Sequence, residues 1–96
     1  MADFPLSARL HEWVQEVFPG NEDEIIGILE RECGYNLPDM QPGAELRIAE
    51  VQTAVLIISE GSKEKLLWAI QQAKTDWRDV LVWGQIAVRR RGLFRP

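Results

Sequence analysis

The chain has 96 residues, 46% hydrophobic and 27% charged, which fits one small globular domain with a single modest core and excludes a disordered, fibrous or two-domain protein. The longest apolar run, residues 54–58, is far short of a membrane-spanning helix. The net charge of −4 joins two unlike halves: residues 1–60 carry twelve acids against three arginines, a balance of −9, and residues 61–96 carry eight bases against three acids, a balance of +5.

Leu6, Leu10, Trp13, Val14, Val17 and Phe18 recur at spacings of three and four, which predicts a first helix over about 5–18 with Pro5 in its first turn. Phe18-Pro19-Gly20-Asn21 breaks the pattern, and Asn21 with Glu24 three residues on reads as a capping box opening a second helix over 22–33. Ile25, Ile26, Leu29 and Cys33 share its inner face, and Gly34 is placed to stop it. The next stretch, 35–43, holds two prolines, an asparagine and a glycine and reads as a loop whose Leu37 and Met40 tuck under the core.

Residues 44–60 pose a conflict, because the β-branched run at Val55 to Ile58 favours a strand. Periodicity favours a helix: Ala44, Ile48, Val51, Val55 and Ile58 recur at four, three, four and three, and Leu46, Ala49, Thr53 and Leu56 widen the face as a central helix requires. Gly61 then ends that helix and Ser62 caps a fourth over 63–74, with Leu66, Ala69, Ile70 and Ala73 inward. Thr75 or Asp76 caps a fifth over 76–90, carrying Trp77, Val80, Leu81, Gly84 and Val88 inward. Arg89, Arg90 and Arg91 suit the negative end of its dipole, and Gly92 can terminate it. The expected fold is an all-α bundle of about five helices, one domain over 1–92 with a loose tail at 93–96.

Groups that carry chemistry are sparse. One histidine, His11, and one cysteine, Cys33, leave no HExxH or CxxC spacing, and Gly20, Gly27 and Gly34 fit no phosphate cradle. No catalytic residue, cofactor or metal ligand is therefore assigned. The acids at Glu22, Asp23 and Glu24 belong in the first turn of a helix, where they complement its positive end. Four tryptophans, Trp13, Trp68, Trp77 and Trp83, could supply much of the core, with one or two left at a contact surface.

The densest cluster is Asp76-Trp77-Arg78-Asp79. Its structural reading is a helix start with two acids at the positive end, Trp77 in the core and Arg78 turned toward an acid; its functional reading is a recognition site beside an exposed Trp83. The Arg-Arg-Arg-Gly-Leu-Phe-Arg tail adds Arg89, Arg90, Arg91, Phe94 and Arg95 as candidate contacts for an anionic partner. The overall acidity opposes nucleic acid, and pairing with the acidic half, within one molecule or between copies, fits better.

Val51-Gln52-Thr53-Ala54-Val55-Leu56, Glu60-Gly61, Leu66, Ala69-Ile70, Ala73 and Asp76-Trp77-Arg78-Asp79-Val80-Leu81 together resemble the C-terminal half of a group of short bacterial proteins with a VQ-x-AVL, glycine turn, helix, D-[WY]-RD-[VL]-L pattern. The resemblance covers about a third of the chain. It implies a bacterial origin and a helical hairpin joined near Gly61, and it carries no activity or site residue. Val82-Trp83-Gly84 and the arginine run depart from the small residues that follow the motif in that group.

The resulting expectation is a small, cytosolic, non-catalytic interaction or regulatory protein. Its partner would be another protein or a second copy, with no membrane contact. Nucleic-acid binding through the basic tail is the first alternative and a carboxylate-dependent enzyme the second. The N-terminus, Met-Ala-Asp-Phe-Pro, lacks the basic start and apolar stretch of a secretory signal.

Overall fold

The computed structural model describes residues 4–91. Among them are four helices and no strand: α1 (Ala8–Val17), α2 (Glu22–Glu32), α3 (Glu45–Ser59) and α4 (Lys63–Arg91). The all-α expectation holds, and the strand alternative at Val55 to Ile58 falls because α3 is enclosed: Ile48, Val51, Gln52, Ala54, Val55, Leu56 and Ser59 are all buried. Helix α1 packs on α2 and α3 on α4.

The count is four rather than five because no loop separates the last two expected helices. They run into each other at Asp76, whose φ of −156° and ψ of 99° are the one non-helical pair inside α4. A straight helix of that length would extend about 43 Å at 1.5 Å per residue, whereas the longest dimension of the molecule is 31 Å. The two arms, 63–75 and 77–91, therefore fold back across Asp76. Its carboxylate caps the second arm, accepting from the Arg78 N–H at 3.1 Å and from Arg78 Nε at 3.0 Å, which satisfies an otherwise orphaned donor of the first turn.

Other caps differ from expectation. Ser7, not the Pro5 turn, opens α1, its hydroxyl accepting from the Leu10 N–H at 3.2 Å. The Asn21/Glu24 capping box does not form: Asn21 makes no side-chain cap bond, Glu24 pairs with Lys63 instead, and Glu22 reaches back to the Gly20 N–H at 2.9 Å. That bond to Gly20 holds the Glu22 carboxyl below its usual range. Ser62 does cap α4, accepting from the Lys65 N–H at 3.3 Å. The α3–α4 turn uses Glu60 and Gly61, both with positive φ, and a Cβ at Gly61 would come within 3.1 Å of the Val17 carbonyl oxygen. Only glycine meets both demands there.

The core is mostly aliphatic, with the Phe18 ring buried within it. Leu10, Val14, Ile25, Leu29, Ile48, Val51, Val55, Leu66, Ala69 and Val80 are buried together, with Leu37 and Met40 tucked in from the loop as expected. None of the four tryptophans is fully buried. Trp13, Trp77 and Trp83 pack at the edge and Trp68 is 51% exposed, because an indole needs a hydrogen-bond partner that an aliphatic centre lacks. Leu46, expected to widen the inner face of α3, is 82% exposed. Ile28, absent from the expected inner face of α2, is buried in place of Ile26.

A polar junction joins the N-terminal segment to α2 and α3. Phe4 N–H donates to the Glu30 carbonyl at 2.9 Å and Leu6 N–H to the Glu30 carboxylate at 2.8 Å. Gln52, fully buried, donates its amide to the Phe4 carbonyl at 3.3 Å and to the Cys33 carbonyl at 3.0 Å.

The uneven charge halves are partly spent inside the molecule, where Lys63 and Lys74 from the basic half pair with Glu24 and Glu32 on α2. The Lys74 hydrogen bond holds Glu32 below its ordinary value of 4.5, with burial opposing and Arg31 assisting. A depressed folded pKa stabilises the fold above the unfolded value and ceases to do so as pH falls through the lowered one. Glu32→Gln is thus expected to shrink the loss of thermal stability between about pH 5 and pH 3, while costing under about 1 kcal/mol at pH 7 because the pair is partly exposed. An unchanged acid profile in that variant would remove the pair from the account.

Candidate interaction surfaces on the α4 hairpin

Cys33 is the natural place to begin, as the chain's only thiol. It is fully buried and pushed up to about 12, chiefly by that burial, so at neutral pH it is a protonated apolar group. His11 stands 3.7 Å from the Glu30 carboxylate. Among the described residues no three His, Cys, Asp or Glu side chains gather as metal ligands would. Two acids, Glu60 and Glu64, do line one shallow pocket with Ile58, Lys65 and Trp68, but Glu60 is bonded to Lys65 at 2.6 Å.

Arg78, the first of the candidate contacts, turns to its own capping acid. It is 72% exposed and its pKa is raised, first by the hydrogen bond to Asp76. Asp76 is lowered by the same bond. The neighbouring Trp77 is not in the core as expected. Its Nε1 donates to the Pro38 carbonyl at 2.9 Å, and the guanidinium carbons of Arg47 and Arg78 stand 5.5 and 5.9 Å from its ring centroid. Trp77 thereby ties the 35–43 loop to the fold in α4, with each cation contributing roughly 0.5–1 kcal/mol at an exposed site. The Asp-Trp-Arg-Asp cluster is thus a cap and a latch.

Trp83 is different. It stacks on Trp68 with centroids 5.5 Å apart and ring planes 23° from parallel. Fifteen positions separate the two, about 22 Å along a continuous helix, so the stack exists only because the arms fold at Asp76. Ile58, Ile86, Ala87 and Arg90 complete a shallow concavity around the pair. Trp68 is 51% and Ile86 43% exposed, leaving apolar surface facing solvent.

A second, larger concavity lies on the other side of the same arm. Successive residues turn by about 100°, so Leu81, Gln85, Val88 and Arg89 face away from Trp83, Ile86, Ala87 and Arg90. The first set and α3 bound an open groove of about 700 Å³ with a floor of Ala49, Thr53, Ala54, Ile57, Leu81, Gly84 and Val88. Arg9, Arg47 and Arg89 stand on its rim with a single acid, Glu50. Its depth depends on Gly84, whose missing Cβ lets α4 approach α3 at Ala54.

The sequence-derived candidates therefore divide. Trp83 and Arg90 share one concavity, Arg89 lines the other, and Arg78 belongs to neither. Phe94, Arg95 and the Arg91 side chain lie outside the described residues, as do Gly92 and the 93–96 tail. Sequence reasoning missed Trp68 as Trp83's partner, and also missed Arg9 and Arg47. The stack had a faint signal in Trp68 lying off the Leu66, Ala69, Ile70, Ala73 stripe; the arginines had none, since three separate helices deliver the groove's rim. Among the described residues no helix is long and apolar enough to cross a membrane. Compared with known protein families, curated proteins and solved structures, the chain matches none.

Proposed function

We propose that this is a small interaction or regulatory protein that works by binding a protein, either a distinct partner or a second copy, and not by catalysis. The stacked Trp68–Trp83 pair carries this reading. Trp68 and Ile86 are left half-exposed beside Trp83, which packs at the edge of the core, and tryptophan beside arginine is the composition of interface centres. Trp68, Trp83 and Ile86 would supply the apolar contact and Arg90 a charged edge. A cytoplasmic setting and a bacterial origin belong to the same proposal, the origin resting on the sequence pattern described above.

A photoreactive residue placed at Val82, which is 52% exposed beside the stack, tests the reading. In the source cell, one dominant protein adduct or a cross-linked dimer is expected, lost when Trp68 and Trp83 are both changed to alanine. Adducts scattered at low yield, or adducts to nucleic acid that vanish on removing residues 89–96, would reject it.

A further inference from the structure

We propose that the groove between α3 and the second arm of α4 receives one face of an acidic amphipathic helix from a protein partner. The inference goes beyond the reading above, because it concerns the opposite side of the arm from the tryptophan stack.

Charge is the first ground. Arg9, Arg47 and Arg89 come from α1, α3 and α4, and the only acid among the lining residues is Glu50, already held by Arg47 at 3.2 Å. Arg9 and Arg89 have no ion-pair partner among the described residues. The rim is thus an island of positive charge on a chain of net charge −4, and such an island selects a negatively charged occupant.

The floor is the second ground. Ala49, Ile57, Leu81 and Val88, all partly exposed, present apolar surface along two packed helices, which a nucleic acid backbone would leave uncovered and an amphipathic helix would fill with residues at i, i+4 and i+7. The groove is open to solvent, whereas a small amphiphile is usually enclosed over most of its surface. Leu46, 82% exposed at the groove, adds an apolar contact for a helix lying across it.

The test uses three synthetic peptides of about 18 residues, titrated against the full chain by calorimetry. One carries leucines on one face flanked by glutamates; the second replaces the glutamates with lysines; the third scrambles the first. The acidic amphipathic peptide is expected to bind at micromolar concentration and the other two at least tenfold more weakly. Ala49→Trp, which fills the floor, should abolish binding, and Arg9→Ala with Arg89→Ala should weaken it about tenfold. Arg9→Glu with Arg89→Glu should transfer preference to the lysine peptide, a gain that misfolding cannot produce. Trp68→Ala with Trp83→Ala should leave the titration unchanged, so this inference and the proposed function stand or fall separately. Equal binding of the scrambled peptide, indifference to Ala49→Trp, no binding below millimolar peptide, or binding of dodecanoate in preference to the peptide would each overturn the proposal.

Discussion

Gln52→Ala is expected to destabilise the fold by about 3 kcal/mol, a fall in melting temperature of more than about 10 °C for a domain this small. The side chain is fully buried and its amide donates to two carbonyls from distant segments, Phe4 and Cys33. Removing it orphans both acceptors, each at about 1–3 kcal/mol if left unpaired, and opens a void beside α3. One offset is internal, since Gln52 Oε1 is itself buried without a partner, and its removal returns part of the loss. The two carbonyl acceptors fix which end of the amide is nitrogen, so the unpartnered atom is the oxygen.

Two companion variants separate the contributions. Gln52→Met keeps volume and loses both hydrogen bonds, and should recover only the packing share. Gln52→Glu places an acceptor-only carboxylate against two carbonyls at a site closed to water, and should leave the protein unfolded at neutral pH with partial recovery in acid, where the carboxyl is protonated. Thermal unfolding followed by circular dichroism reads all three. If the alanine variant melts within a few degrees of the parent, the junction is not what holds the N-terminal segment.

Gly84 sets up the second large effect. Inside a helix, alanine is better than glycine by about 1 kcal/mol, so Gly84→Ala would stabilise an isolated arm. In the fold, the new Cβ would stand 2.9 Å from Ala54 Cβ and 3.2 Å from Ala54 Cα. One of those neighbours is backbone and cannot rotate away, so α3 and α4 must separate, at about 1–3 kcal/mol. The overlap outweighs the propensity, and net destabilisation of about 1–2 kcal/mol is expected.

The reciprocal change supplies the check. Ala54→Gly alone should also destabilise, whereas Ala54→Gly with Gly84→Ala moves one methyl group across the contact and should restore most of the stability. Urea unfolding of the four proteins gives the coupling directly, and a value near zero would show that the helices do not meet as described. Gly84→Leu should go further, parting the helices and deforming the groove bounded by Leu81, Gly84 and Val88.

These two positions show how unevenly the structure was written in the chain. Gln52 lay in plain view within the VQ-x-AVL pattern, on the stripe Ile48, Gln52, Val55, Ser59, yet a lone polar residue on an apolar face reads as a boundary until its partners are known. Those partners, Phe4 and Cys33, are 48 and 19 residues away. Gly84 was placed correctly on the inward face of the last arm, but inwardness does not reveal that it meets Ala54 within van der Waals distance.

Caps were legible where they obeyed local rules. Ser62 and Asp76 act within two or three residues of themselves; local chemistry placed Ser62 outright and narrowed the last cap to Thr75 or Asp76. Asn21 and Glu24 also satisfied a local rule, but Lys63 outcompeted the cap for the Glu24 carboxylate. Trp77 misled for a related reason. Its size argues for the core, while its N–H holds it at the Pro38 carbonyl; for Trp83 a surface position was expected, and what the sequence did not show was its stacking on Trp68.

By itself, the sequence determined that the chain is helical, where three of its turns fall, most but not all of the aliphatic residues that line the core, and that its charge is divided between two halves. Each of these follows from interactions within a few residues, or from a periodicity that needs no partner to be seen. Only the tertiary structure decided that α4 doubles back at Asp76, that Trp68 meets Trp83, that Gln52 closes the N-terminal junction, and that three arginines from three helices edge one groove. Those outcomes depend on the angle at which packed helices cross, and that angle is set by side-chain fit between segments the linear pattern cannot bring together.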